Sequence, residues 1–122
     1  MVKTMNRQLD VKINLNNDNV CIISIKGELS IFVPEFSGIY KEILEYLSND
    51  IYKFVLDMDD VSYVDSSGVG LIMRLATNAN KFETNICVIC SQPQVLKVIK
   101  VSNIDKIIHF INTIEEGIKY FE

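Results

Sequence analysis

Asp57-Met58-Asp59-Asp60-Val61-Ser62-Tyr63-Val64-Asp65-Ser66-Ser67-Gly68-Val69-Gly70 separates two segments of different hydrophobic period. Before it, Phe54-Val55-Leu56 is a short apolar run of β-forming residues and predicts a strand ending at Leu56. After it, Val69, Ile72, Leu75, Ala76 and Ala79 recur at steps of three and four and predict a helix with one apolar stripe. The stretch between therefore reads as an acidic connection followed by a strand-to-helix turn, the place where α/β folds usually meet ligands and partners. A helix start leaves backbone N–H groups unpaired, and Asp65 or Ser66 can cap them. The same donors, with the helix dipole, attract a phosphate. Two readings of the turn stand together. Asp65 or Ser66 caps the helix while Gly68 and Gly70 allow close packing, and a serine hydroxyl here is exposed and open to phosphorylation. A phosphate would add about −1.5 to −2 charges beside Asp65 and repel an acidic partner surface.

Outward from the turn, the chain continues in alternating units. Leu9, Val11, Ile13 and Leu15 alternate with Asp10, Lys12 and Asn14, which marks a strand with one buried face. Asn16-Asn17-Asp18-Asn19 is a hairpin turn, and Val20 to Lys26 is a second strand, buried on both faces and ended by Gly27. Pro34 opens a helix carrying Phe36, Ile39, Tyr40, Ile43, Leu44 and Leu47, closed by Ser48-Asn49-Asp50. Ile86 to Cys90 is a strand, Pro93 opens a short helix with Val95, Leu96 and Ile99 inward, and Ile107, Ile108 and Phe110 form a last strand. Thr113 and Glu116 make a capping box for a final helix docking through Ile114, Ile118 and Phe121. The order β-β-α-β-α-β-α-β-α implies an α/β fold, a mostly parallel sheet opened by a hairpin.

The chain of 122 residues, 48% apolar and 23% charged, is read as one globular domain over residues 1–122. Its net charge of −4 and scattered lysines argue against nucleic-acid binding. The start, Met1 to Asp10, carries Lys3 and Arg7 and no apolar core of a leader, and no apolar run is long enough to insert into a membrane. With three cysteines in odd number, the expectation is a cytoplasmic, reduced protein.

Enzymatic readings find no machinery. Cys87 and Cys90 have redox spacing but lie in a predicted strand, where residues three apart face opposite sides, so they and Cys21 read as core. His109 is the single histidine, too little for a zinc site, so neither metal nor cofactor is expected. Ser66 lacks the glycine pattern of a nucleophile elbow and has no base to activate it. Asp57 as a receiver-type phospho-acceptor fails because the acidic pair after the first strand and the late Lys-Pro are missing, the late dipeptide being Gln92-Pro93. Gly68-x-Gly70 is too short for a nucleotide loop.

The run from Asp57 to Gly70 resembles the signature of the STAS domain, found in anti-sigma factor antagonists and sulphate-transporter tails. Gly27-Glu28-Leu29 resembles the family's earlier Gly-x-Leu segment, and Pro34-Glu35-Phe36 its helix opening. The resemblance extends from Leu9 to the end and implies a STAS-like (sporulation anti-anti-sigma) fold: a four- to five-stranded sheet, mostly parallel, with an N-terminal antiparallel hairpin and about four helices. It implies a non-enzymatic anti-sigma factor antagonist that binds an anti-sigma factor serine kinase, is inactivated by phosphorylation of the motif's first serine, and is restored by a serine phosphatase. Carried over, the phosphorylated residue is Ser66, and Asp65, Ser66, Ser67, Gly68 and Ser30 mark the partner-binding site. Ser30 departs from the family, which often carries an acid after Gly-x-Leu, and Ile31-Phe32-Val33-Pro34 is a residue shorter than common. The alternative role is a STAS scaffold subunit of a larger signalling or lipid-transport complex.

Overall fold

The computed structural model describes residues 8–122. The N-terminal stretch read above for a leader lies, up to residue 7, outside them. The elements follow the expected order: β1 (Leu9–Leu15), β2 (Val20–Leu29), α1 (Phe36–Ser48), β3 (Lys53–Val64), α2 (Ser66–Lys81), β4 (Ile86–Ile89), α3 (Pro93–Val101), a 3-10 turn (Ile104–Ile107), β5 (Ile108–Phe110) and α4 (Ile114–Tyr120). The sheet order is β1-β2-β3-β4-β5, with β1 antiparallel to β2 and every other pair parallel. The hairpin turn is held by Asn16, whose Oδ1 accepts from the amides of Asp18 and Val20, both at 2.9 Å.

The two sheet faces are covered unequally. Phe36 and Ile43 of α1, Leu71, Ile72 and Leu75 of α2, and Val95 and Ile99 of α3 share one large core with Ile23, Phe54, Leu56 and Met58 of the sheet. On the other face Val20, Val55, Cys87 and Ile89 pack with Ile111, Ile114 and Phe121 in a small cluster under α4. Cys87 and Cys90 belong to opposite clusters, as residues three apart should. Burial pushes the Cys21 and Cys87 thiols up to about 12. Half of the expected capping box at α4 forms: Thr113 Oγ1 accepts from the Glu116 amide at 3.2 Å, while Glu116 Oε2 reaches one residue further back and accepts from the Asn112 amide at 2.9 Å.

Several boundaries differ from expectation. β3 does not stop at Leu56 but continues through the acids to Val64. Its buried residues there, Met58, Val61 and Val64, are three apart, because β3 gains an extra residue over β2 twice, between the pairs Ser24↔Asp57 and Lys26↔Asp60 and again between Gly27↔Val61 and Glu28↔Tyr63. Such bulges break the two-residue alternation by which a strand is recognised. β2 likewise passes through Gly27, which has φ 103° and lies so close to β1 that a Cβ would stand 2.2 Å from the Gln8 carbonyl oxygen. Helix α1 begins at Phe36, with Pro34 in the preceding turn. Cys90 lies beyond β4. Ile107 belongs to the 3-10 turn, and His109 sits mid-strand in β5, stacked on Tyr120 with ring centroids 4.6 Å apart.

Candidate functional site

The site forms where β2 and β3 end side by side and the chain enters α2, because Leu29 pairs with Val64. Asp65 is the N-cap, in extended conformation, and its Oδ1 accepts from the amides of Ser67 at 3.0 Å and Gly68 at 3.1 Å. Its Oδ2 accepts from the Ser30 hydroxyl at 2.7 Å and from the Ile31 amide at 3.1 Å. One carboxylate thus ties the start of α2 to the loop after β2. Partial burial pushes the Asp65 carboxyl up, but the bonds from Ser30 and the amides of Gly68, Ile31 and Ser67 outweigh it and hold the group below the ordinary aspartate range.

Of the two capping candidates, the structure selects Asp65. Ser66 becomes the first helical residue, exposed to solvent, and its hydroxyl makes no internal hydrogen bond among the described residues. Ser67 is half-buried and lines a groove of about 380 Å³ with Ile31, Phe36, Ser37, Tyr40 and Gly70. Beside it, Ile31 and Phe32 are 54% and 69% exposed, an apolar pair at the mouth of the site. The groove joins residues from two helices and a turn and leaves no periodic signature in the sequence. Its one local signal is that Ile31 and Phe32 are apolar residues in a turn rather than on a periodic face.

Two expected contact residues need correction. Ser30 is fully buried. Its hydroxyl donates to Asp65 and accepts from the Phe32 amide at 3.1 Å, so it positions the loop and cannot touch a docked protein. Gly68 is also buried: a Cβ there would stand 2.3 Å from the Leu29 carbonyl oxygen and 2.9 Å from Val64 Cγ1. It lets α2 approach the sheet end, a packing role rather than the expected contact role. Asp59 is likewise occupied internally. Its Oδ1 accepts from the amide and hydroxyl of Ser91, at 2.8 and 2.9 Å, and its carbonyl accepts from Gln92 Nε2 at 2.9 Å, which fixes the loop between β4 and α3. Among the described residues no helix is long and apolar enough to cross a membrane.

In sequence the chain is similar to a Thermotoga neapolitana protein proposed as an anti-sigma factor antagonist, 24% identical over 104 residues covering 84% of this chain and 89% of that one. In fold it is similar to the anti-sigma factor antagonist SpoIIAA in its unphosphorylated form, with a TM-score of 0.75 and 21% identity over 90% of this chain and 94% of that one. It is also similar to the Bacillus cell fate determinant SpoIIAA in its phosphorylated form, with a TM-score of 0.71 and 20% identity over 93% of this chain and all of that one. Residues 12–117 match the STAS domain, and with most of its length inside that match the chain belongs to the STAS domain family.

Proposed function

We propose that this chain is an anti-sigma factor antagonist that docks on an anti-sigma factor serine kinase through the surface around Ser66, and that phosphorylation of Ser66 ends the docking. The observation that carries the reading is the division between neighbours: Asp65 does the capping, which leaves the Ser66 hydroxyl exposed and uncommitted. The groove between α1 and α2, with the exposed Ile31 and Phe32, offers apolar area beside that hydroxyl for a protein partner. In the transfer, Ser66 Oγ bonds to the γ-phosphorus of ATP, ADP departs with the electrons of the broken P–O bond, and the hydroxyl proton passes to the kinase's base. The phosphate, with about −1.5 to −2 charges, sits at a helix N-terminus, which tolerates it, so the fold persists. The same charge at the rim of the groove must be desolvated when a partner closes over it, so docking fails. A serine phosphatase, hydrolysing the ester with water, returns the binding state. The resemblance in fold to SpoIIAA, known in phosphorylated and unphosphorylated forms, supports this reading.

The test is to incubate the protein with the anti-sigma serine kinases of its organism and ATP, map phosphate by mass spectrometry, and measure docking of Ser66→Ala and Ser66→Asp. Phosphate should appear on Ser66. Ser66→Ala should bind kinase persistently at nearly unchanged stability, within about 0.5 kcal/mol, because the cap is Asp65. Ser66→Asp should bind at least tenfold more weakly with an unaltered melt. No phosphate on Ser66 with any of these kinases, or wild-type affinity in Ser66→Asp, would leave the scaffold role in its place.

A further inference from the structure

The outer edge of β1 pairs with no strand among the described residues. The amide of Glu28 donates to the Gln8 carbonyl, and the amide of Asn16 donates to the Val20 carbonyl. Even-numbered residues of β1 therefore turn their backbone groups toward β2. By antiparallel alternation, Leu9, Val11, Ile13 and Leu15 present N–H and C=O groups to the open edge. β1 carries no bulge and no proline in its ladder to β2, so the edge lacks two usual protections. The opposite edge, β5, spans only Ile108–Phe110.

The edge is also self-complementary. Leu9-Asp10-Val11-Lys12-Ile13 has an acid and a base placed symmetrically about Val11. An antiparallel copy centred on Val11 would set Asp10 opposite Lys12 twice and Leu9 opposite Ile13 twice. It would also make Val11 a hydrogen-bonded pair on the two-fold axis, as its outward backbone groups require. Asp10 and Lys12 would then fall in non-hydrogen-bonded pairs, where side chains are closest. The charges already on the sheet ask for this arrangement. Asp60 lies beside Lys26 and Lys26 opposite Asp10, so the row Asp60–Lys26–Asp10 alternates in sign and stops at the edge. Lys12 stands opposite uncharged Ser24, beyond which lies Asp57. All six of these residues line one shallow depression on the sheet face that α1, α2 and α3 leave open.

We propose that β1 is a self-association edge, through which two copies of this chain pair antiparallel about Val11 into one continuous sheet. The second copy's Lys12 continues the alternating row from Asp10, and the half-buried Val11 and Ile13 lose further exposure on the helix side. The contact is short, below the size of a stable permanent interface, so the dimer forms reversibly with concentration.

Sedimentation equilibrium on the full chain over a range of concentrations tests this. The wild type should approach twice the monomer mass as concentration rises. Lys12→Asp and Asp10→Lys should each weaken association about tenfold, because two symmetry-related pairs change sign together. An equimolar mixture of these two variants should recover it. One variant carries acids at both positions and the other bases at both, so opposite charges face each other only in the mixed dimer. Asp10→Lys also meets Lys26, so circular dichroism must show each variant folded. Val11→Pro provides a second check: it removes an outward N–H without touching the ladder to β2, and should be folded and monomeric. A wild type monomeric at every concentration, single reversals without effect, or a mixture no better than its components would each overturn the proposal.

Discussion

Replacing Ser30 by alanine removes both hydrogen bonds of its hydroxyl, the shorter of which ends on Asp65. The hydroxyl is fully buried, donates to Asp65 Oδ2 at 2.7 Å, and accepts from the Phe32 amide at 3.1 Å. Alanine keeps the side-chain volume within one oxygen, so the change removes bonding rather than packing. A bond to a charged acceptor contributes about 1.5–3 kcal/mol. Asp65 keeps its bonds from Ile31, Ser67 and Gly68 and stays partly solvated, so a loss of about 2 kcal/mol is expected at pH 7, or roughly 8 °C in Tm for a domain this size. The loss should depend on pH. The Asp65 carboxyl titrates below its unfolded value, so its contribution is complete above the unfolded pKa and disappears as pH falls through the folded one. Ser30→Ala removes one of the bonds that hold the pKa down, so the variant has less to lose on acidification. With Asp65 protonated the bond is neutral, and the penalty should shrink toward about 1 kcal/mol. Urea unfolding followed by circular dichroism, at pH 7 and at an acid pH where the wild type remains folded, measures both quantities. A penalty under about 0.5 kcal/mol at pH 7, or an equal penalty at both pH values, would refute the account of Asp65 as an ionised clamp.

Two further outcomes follow from packing. Gly68→Ala gains helix propensity of about 1 kcal/mol, yet its Cβ would lie 2.3 Å from the Leu29 carbonyl oxygen, a backbone atom with little room to move. Overpacking of about 1–3 kcal/mol should win and lower Tm, whereas Gly70→Ala, which meets nothing within 4 Å, should be neutral or stabilising. The Cys21 and Cys87 thiols, pushed up to about 12 by burial, should react with a thiol reagent at neutral pH only as fast as the protein opens, with Cys90 labelled first. Rapid labelling of all three in folded protein would contradict the burial.

What is legible in the sequence is local. Periods of two and three to four locate β1, α1 and α2, and the alternation of strand and helix is enough for the sheet. The acidic half of β3 escapes because two bulges shift its buried residues from every second to every third position, and that spacing resembles no strand. Gly27 reads as a stop because glycine weakens a strand interior, whereas here its positive φ and close approach to the Gln8 carbonyl let β2 continue past it. The roles of Ser30 and Ile31 are hidden for another reason: their partner is 35 and 34 residues away, and nothing short of the folded sheet brings them together.

The exposure of Ser66 follows from the chemistry of the residue before it. A carboxylate has two oxygens, and Asp65 directs one to the amides of Ser67 and Gly68 and the other to Ser30 and Ile31. A serine in its place has one oxygen and could serve the helix or the loop but not both. Ser66 would then be drawn in to satisfy what remained, or the loop carrying Ile31 and Phe32 would come loose. Because one aspartate saturates both sides, the next hydroxyl has no structural task and stays in solvent at the helix start. A group that can be phosphorylated without unfolding its host must be of this kind, placed by the fold and not needed by it.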